Sequence, residues 1–234
     1  MQDSETARLG RGDCAIVVLF VMLTGVFAGM AVRQYGWARE TRRLAAVGRY
    51  NACPAEVMGN EPHIRGWAGA QFTLVEFGDY QCGPCRAAAP KVRALLRRHE
   101  RDLSFVFRDL PLTSIHPLAM NAAVLANRAG NAVDYWATHD LLYSDGIDGA
   151  LLRRAEANLE KTGRPALPES GATDRVSQSI RAARSLGIGG TPAYVLLCPG
   201  SIVRRVGALE DVENLLAARP APRLGVGQDE ENAH

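Results

Sequence analysis

The sequence lacks any block of like charge and any internal repeat. Its 27 lysines and arginines nearly balance its 25 aspartates and glutamates, which leaves a formal net charge of +2. Because the basic residues are spread along the chain, no surface suited to a polyanion and no nucleic-acid binding is predicted. A chain of 234 residues is long enough for one well-buried domain with tails.

Cysteine is also scarce, which limits the available chemistry. The chain has five cysteines, and only Cys82 and Cys85 lie close together in sequence. The other cysteines, which are Cys14, Cys53 and Cys198, stand singly. Histidines such as His99, His116 and His139 are scattered along the chain. A zinc site requires further ligands at suitable spacing. Neither a metal site nor another bound cofactor is therefore predicted.

Long hydrophobic runs are absent apart from one. Residues 14–32 carry no charge, and a helix of that length just spans a bilayer. We expect an uncleaved membrane anchor. A cleaved signal peptide is the alternative, because Gly29-Met30-Ala31 offers small residues for cleavage. Cys14, at the edge of the run, is interpreted as an ordinary apolar residue.

The two clustered cysteines follow an apolar strand at 72–77 and open a predicted helix that ends near Arg98. A thiol at a helix N-terminus faces unpaired N–H groups and the positive end of the helix dipole, and both favour the thiolate. Cys85 lies one turn later and can close a disulfide with Cys82. Pro84 fits the first turn, where no N–H is missed. The pattern predicts a redox-active dithiol, with Cys82 as the exposed nucleophile and Cys85 as the resolving thiol.

The rest of the chain is predicted to alternate between strands and helices. Strands are expected at 71–77, 103–107, 193–197 and 202–206, and further helices at 116–129, 133–143, 148–159, 174–186 and 209–217. The first two strands, joined by a helix, should be parallel, and the last two should form an antiparallel hairpin. Asp174 is the expected N-cap of its helix, after a loop at 163–171 that is rich in proline and glycine.

Residues 71–217 resemble the DsbA-like branch of the thioredoxin fold, in which a helical insertion splits that fold. The marks are Glu76–Cys82–Cys85, Asp109-Leu110-Pro111-Leu112 with Ile115-His116-Pro117, and the segment from Gly187 to Ala193. The resemblance implies an α/β thioredoxin fold with an inserted helical subdomain, preceded by a transmembrane or signal-anchor helix. The expected divisions are a tail (1–13), the apolar helix (14–32), a linker (33–69), the thioredoxin-fold domain (70–218) with its insertion at about 113–187, and a disordered tail (219–234).

The resemblance also implies roles for single residues. Glu76 would be a buried acid beneath Cys85 that exchanges a proton with it; an edge-strand glutamate facing solvent is the alternative. Pro192 would follow a cis peptide bond opposite the disulfide, rather than occupy a plain turn. Thr191 would pair with the substrate backbone, with its hydroxyl near Cys82. His116 resembles the start of a family helix and is assigned a structural role.

The implied activity is that of an extracytoplasmic thiol–disulfide oxidoreductase acting on cysteine pairs of exported proteins. Gly83-Pro84 departs from the strongly oxidising relatives and resembles reducing thioredoxins, so a reductase dedicated to one client is an alternative. A non-catalytic assembly factor is a third interpretation, although both cysteines are present. A membrane or soluble redox partner would have to reset the cysteines.

Two further expectations follow from an extracytoplasmic location. Cys53 and Cys198 are predicted to pair as a structural disulfide, with two unpaired thiols as the alternative. The domain is expected on the periplasmic side of a single membrane anchor. The arginines around the apolar run oppose this orientation, because more of them follow the run than precede it. The positive-inside rule is weak for large domains, however.

Overall fold

In a computed structural model of the chain, the described residues are 49–50, 53–60 and 63–217. For residues 49–50 the description extends to the backbone alone. The predicted membrane helix at 14–32, Cys14, the tails at 1–13 and 219–234 and much of the linker lie outside this range. Within the described residues, no helix has the length and apolar character needed to cross a membrane.

A six-stranded sheet forms the centre of the domain, and its strands follow the order β1-β6-β5-β3-β4-β2. The strands are β1 (Arg49–Tyr50), β2 (Ile64–Gly66), β3 (Phe72–Gly78), β4 (Leu103–Asp109), β5 (Ala193–Cys198) and β6 (Ile202–Val206). As predicted, β3 and β4 are parallel and β5 and β6 form an antiparallel hairpin. β3 also pairs with β5, so it lies in the middle of the sheet.

Helices cover both faces of the sheet. They are α1 (Pro54–Met58), α2 (Gly83–Arg98), α3 (Ala119–Arg128), α4 (Ala132–Leu142), α5 (Gly149–Lys161), α6 (Glu169–Ser185) and α7 (Leu209–Ala217). One face, here called the active-site face, packs Leu74, Phe105 and Leu196 against α2, α7 and the helices α3 to α5. The opposite face packs Val75 and Val195 against α1 and α6. Because β3 is covered on both sides, its residues are apolar almost without interruption.

The helical insertion lies between β4 and β5 and has the four predicted helices, with two boundaries shifted. α3 begins at Ala119 rather than at 116, since the segment before it forms turns. α6 begins at Glu169 rather than at 174, with Pro168 in the N-cap position. Asp174 therefore lies inside the helix and is not its N-cap. The predicted loop at 163–171 therefore ends at Pro168. This proline has an extended backbone that suits the N-cap position, and the acid Glu169 in the first turn stabilises the helix N-terminus.

The predicted linker contributes both edges of the sheet, which the sequence did not indicate. β1 pairs with β6, and β2 pairs antiparallel with β4. These strands have two and three residues, too few to show an alternating pattern. The fold is therefore the predicted thioredoxin-like α/β fold with a helical insertion, completed by strands from the preceding segment.

The central strand gives a stability prediction. Leu74 is fully buried between β4 and β5, so Leu74→Ala should lower the free energy of unfolding by about 2–5 kcal/mol in urea titrations. Val133→Ala is the control because Val133 is 70% exposed, and its change should stay within about 0.5 kcal/mol. Equal effects at the two positions would contradict this description of the core.

Candidate active site

The two clustered cysteines lie where β3 leads into α2. Cys82 is the N-cap of α2 with extended backbone, and Pro84 occupies the first turn. The Cys82 N–H donates to the Asp79 carbonyl at 3.0 Å, which closes the turn after the strand. Cys85 follows one helical turn later and is fully buried. The local pattern predicted from the sequence therefore places both sulfurs at the same end of one helix.

Cys82 is less accessible than its expected role as an exposed nucleophile implied. Only 5% of the residue is exposed. Its Sγ donates to the Thr191 carbonyl at 3.5 Å, and this partner is 109 residues away in sequence. The loop before β5 thus covers the start of α2, a tertiary contact that spacing around the cysteines does not reveal.

Thr191 and Pro192 form that covering loop, and the peptide bond between them is cis. The Thr191 carbonyl accepts from Cys82. The Thr191 hydroxyl, which the family resemblance places near Cys82, is buried and has no hydrogen-bond partner among the described residues. The preceding Gly189 and Gly190 are exposed and leave the rim of the site uncovered.

Glu76 lies beneath the resolving cysteine. It sits in the middle of β3, on the same face as Leu74, and only 2% of it is exposed. Its Oε1 has no hydrogen-bond partner among the described residues. Burial raises the pKa of Glu76 to about 8. This is a buried acid on the central strand rather than an edge-strand glutamate.

The Cys85 thiol shares the dry environment of Glu76. Burial raises the pKa of Cys85 far above its usual range, and the nearby Glu76 charge raises it further. The neighbouring Asp79 backbone and Thr191 side chain lower the pKa of Cys85 by less. Cys85 therefore stays a thiol until a neighbouring base removes its proton, and Glu76 is the carboxyl placed to do so.

A second buried acid was missed by sequence reasoning. Asp109 ends β4 opposite Gly78, and burial raises its pKa to about 7. Its Oδ2 accepts from Asn127 at 2.8 Å, while Oδ1 has no partner within the described residues. An acid at the end of an apolar strand is a usable signal, but Asn127 on α3 is not predictable from it.

Asp79 is the other site residue that the sequence analysis did not single out. Its carboxylate accepts from the Gln81 N–H at 2.7 Å and from the Leu112 N–H at 2.8 Å. His116 Nδ1 lies 2.8 Å from the same carboxylate. The signal was a polar residue directly after an apolar strand, combined with the His116-Pro117 pair already noted.

Cys53 and Cys198 are not brought together. Cys53 is exposed and precedes α1, which packs on the opposite face of the sheet through Val57. Cys198 is half-buried at the end of β5 and packs with the cluster on the active-site face. The structure therefore does not form the predicted bond, because the sheet separates the elements that carry the two cysteines.

The described residues contain no group of three histidine, cysteine, aspartate or glutamate side chains that could hold a metal ion. What the site does contain is a pair of thiols at a helix start, a buried acid and a covering cis-proline loop. This arrangement can exchange a disulfide with a substrate, because it has a nucleophilic thiol, a resolving thiol and a proton acceptor. It defines a thiol–disulfide oxidoreductase site.

The chain belongs to the thioredoxin family, since a family model described as "Thioredoxin" matches residues 59–216. Solved structures agree on the fold. Pseudomonas aeruginosa DsbA2 superimposes with a TM-score of 0.54 at 23% identity, covering 68% of this chain and 93% of that one. A linker-deletion mutant of Proteus mirabilis ScsC gives 0.57 at 20% identity, covering 91% and 97%. The sequence-based identification as a member of the thioredoxin family with a DsbA-like fold is confirmed.

Curated relatives with higher identity are longer proteins. The Na(+)/H(+) antiporter NhaA 3 of Salinispora tropica is 37% identical over 138 residues, which cover 56% of this chain and 21% of the antiporter. A similar antiporter of Salinispora arenicola is 34% identical over 140 residues. The chain thus spans about a fifth of the length of the curated relatives it matches.

Glu76 should make stability depend on pH. Its pKa is about 8 in the folded protein and 4.5 in the unfolded chain, so between these values the folded protein binds the extra proton. The contribution of Glu76 to the free energy of unfolding is fully present below pH 4.5 and is lost as the pH rises through 8. Relative to Glu76→Gln, the native protein should therefore lose up to about 1.4 kcal/mol of unfolding free energy per pH unit in this window.

Urea titrations at several pH values between 5 and 8 measure this difference. Because Asp109 and the other titrating groups are common to both proteins, their contributions cancel in the comparison. The exposed Glu160→Gln serves as the control and should follow the native profile. Parallel profiles for Glu76→Gln and the native protein would show that Glu76 does not hold its proton in the folded state.

Proposed function

We propose that this chain exchanges disulfides with cysteine pairs of exported proteins, on the extracytoplasmic side of a membrane to which residues 14–32 attach it. The observation that carries the chemistry is the arrangement of three groups near the start of α2. Cys82 donates to the Thr191 carbonyl, Cys85 is buried one turn later, and Glu76 Oε1 has no hydrogen-bond partner among the described residues. The location rests on the uncharged run at 14–32.

The exchange proceeds in two displacements. In the reducing direction, the Cys82 thiolate attacks one sulfur of a substrate disulfide; a mixed disulfide forms and the second substrate sulfur leaves as a thiolate. Glu76 in its ionised form then accepts the Cys85 proton, and the Cys85 thiolate attacks the Cys82 sulfur, which releases the other substrate sulfur as a thiolate. The substrate gains two electrons and the Cys82–Cys85 pair becomes a disulfide. Substrate oxidation is the reverse, and a redox partner resets the pair.

The nearly covered Cys82 fits an extended polypeptide better than a folded surface. A substrate sulfur must pass the rim formed by the exposed Gly189 and Gly190 to reach it. Backbone groups of the covering loop are then the nearest polar partners for a substrate strand. This supports exported proteins in an unfolded or partly folded state as substrates.

A membrane setting gains support from the longer relatives. The proteins named Na(+)/H(+) antiporters contain a segment similar to this chain within a longer polypeptide, and an ion antiporter works across a membrane. Ion transport is not proposed for this chain, because the similarity covers only about a fifth of those proteins. It supports a thioredoxin-fold domain working next to a membrane protein.

A reductase dedicated to one client is the second candidate, and Gly83-Pro84 favours it. A Cβ at Gly83 would contact nothing within 4 Å, so this position places no side chain over the thiols. No histidine lies between the cysteines to help hold a thiolate. Oxidases and reductases differ by about 150 mV, from roughly −120 to −270 mV.

Equilibration of the full chain with glutathione buffers measures the potential of the Cys82–Cys85 pair. A value above roughly −180 mV indicates an oxidase or isomerase, and one near −270 mV indicates a reductase. The absence of any dithiol couple would remove the oxidoreductase interpretation, including the class defined by the site.

Substitution of the two cysteines separates their roles. Cys82→Ser should abolish turnover of a disulfide-containing peptide, whereas Cys85→Ser should accumulate mixed disulfides that are visible on non-reducing gels. Cys53→Ser is the matched control, because that thiol is exposed and lies on another element. Turnover by Cys82→Ser at the control's rate would contradict the assignment.

Cys53 also serves as a reporter of location. In a Cys82→Ser/Cys85→Ser background, reduced intact cells should react with a membrane-impermeant maleimide at Cys53, which is exposed. Removal of Cys53 should abolish the label assigned to it. Labelling of Cys53 only after lysis would place the domain in the cytoplasm and overturn the extracytoplasmic proposal.

A further inference from the structure

The segment from Leu110 to Leu118, here called the 110–118 loop, is tied to the turn that carries Cys82. The Leu110 N–H donates to the Gly78 carbonyl at 2.7 Å, where β3 ends. The Leu118 N–H donates to the Gln81 side-chain oxygen at 2.6 Å. Between these two ties the Asp79 carboxylate accepts from the Leu112 N–H. Three residues of the turn at 78–81 therefore hold a loop that begins more than thirty residues later.

Asp79 is the centre of this attachment. Its side chain is fully buried, so its charge must be matched by hydrogen bonds from protein groups. Oδ1 accepts from the Gln81 N–H within the same turn. Oδ2 accepts from the loop, through the Leu112 N–H and His116 Nδ1, both at 2.8 Å. His116 is thus the side chain that crosses from the loop to this carboxylate.

The backbone of Asp79 contacts the environment of both cysteines. Its carbonyl accepts from the Cys82 N–H at 3.0 Å and from the Tyr143 hydroxyl at 3.2 Å. The Asp79 backbone also lowers the pKa of the buried Cys85 thiol. A displacement of Asp79 therefore alters the surroundings of the two sulfurs together.

Space around this turn is tightly filled. A Cβ at Gly78 would collide with the Phe107 ring and come within 3.2 Å of the Tyr143 hydroxyl. Tyr80 packs against both of those rings, with centroids 5.1 and 4.9 Å away. On the inner side the turn is therefore confined by packing, while on the side of the 110–118 loop it is held by the Asp79 and Gln81 contacts.

We propose that His116 is a positioning residue for thiol–disulfide exchange. Its Nδ1–H donates to the Asp79 carboxylate, which is an acceptor. This bond holds Asp79 so that its carbonyl keeps its hydrogen bond to the Cys82 N–H. Among the contacts of the described residues given above, none joins His116 to either cysteine. His116 acts through Asp79. The proposal rests on exchange at Cys82 and Cys85, the proposed function.

The consequence is a redox equilibrium that depends on a residue in the helical insertion. The Asp79 carbonyl holds the Cys82 N–H and so keeps the Cys82 sulfur at the start of α2, where free N–H groups and the helix dipole stabilise its thiolate in the reduced pair. Loss of the His116 contact loosens Asp79 and weakens that stabilisation. The equilibrium with glutathione should then shift toward the disulfide.

Two variants of His116 distinguish the effect of its hydrogen bond to Asp79 from the effect of side-chain size. In His116→Asn, the side-chain Nδ2 takes nearly the position of Nδ1 and can donate to Asp79. In His116→Gln, the amide is one bond further out and does not reproduce that position. We expect His116→Gln to shift the glutathione equilibrium constant about tenfold toward the disulfide, or about 30 mV, and His116→Asn to stay within threefold of the native value.

His99→Ala is the matched control. His99 is 27% exposed in its side chain, compared with 22% for His116, and it also faces a carboxylate, that of Glu213 at 3.9 Å. It caps the far end of α2, away from the cysteines. A merely structural histidine would lower the melting temperature without moving the redox equilibrium, so both quantities are measured on every variant.

The outcomes are distinct. A shifted equilibrium in His116→Gln, with native behaviour in His116→Asn and His99→Ala, supports the proposal. Equal equilibrium constants in the native protein and His116→Gln overturn it, and so does an equal shift in Asn and Gln variants. If His116→Gln does not fold, an unshifted His116→Ala overturns the proposal and a shifted one supports it. Absence of a dithiol couple in the native protein would instead refute the proposed function.

Discussion

The site depends on keeping a carboxyl and a thiol dry under the same helix. Glu76 and Cys85 are both removed from water, and burial is the largest influence on each of their pKa values. An uncompensated buried charge is costly, so each group is neutral until the other changes its protonation. Such an environment requires a central strand covered on both faces. The fold provides this by placing β3 between β4 and β5 and closing it with α2 and α6.

Two buried acids on the active-site face differ in the hydrogen bonds of their carboxyl groups, and this difference indicates their roles. Asp109 receives a hydrogen bond from Asn127, which partly satisfies its carboxyl. Glu76 has no hydrogen-bond partner on Oε1 within the described residues and lies next to Cys85. An acid left without a donor keeps its lone pairs available for a transient proton, whereas one fixed by an amide is better suited to structure. The aromatic rings of Tyr80, Phe107 and Tyr143 pack together on the same face and exclude water.

The parts of the molecule that were predictable from sequence are those set by local pattern. The strand–turn–helix around Cys82 and Cys85 follows from residues that are neighbours in the chain, and so does the β5–β6 hairpin. The covering of Cys82 by the Thr191 loop was expected from the family resemblance alone, and the bond between Asp79 and His116 was not expected, because local pattern does not report contacts between residues 109 and 37 positions apart. Edge strands of two or three residues carry too little pattern. The pairing of Cys53 with Cys198 failed for a related reason: sequence does not tell which side of the sheet each element occupies.

The direction of electron flow is decided by how the reduced thiols are held, and the structure shows which groups take part. At Cys82 the hydrogen-bond partner is a carbonyl, which accepts from a thiol and offers nothing to a thiolate. Gly83 and Pro84 bring no charge over the sulfur. At Cys85 the neighbouring Glu76 opposes the thiolate, and backbone contacts from Asp79 only partly offset it. How strongly these contacts hold each sulfur sets how readily the reduced pair gives up its electrons. The helical insertion reaches this turn at Asp79, whose carboxylate accepts from the 110–118 loop and whose carbonyl accepts from the Cys82 N–H.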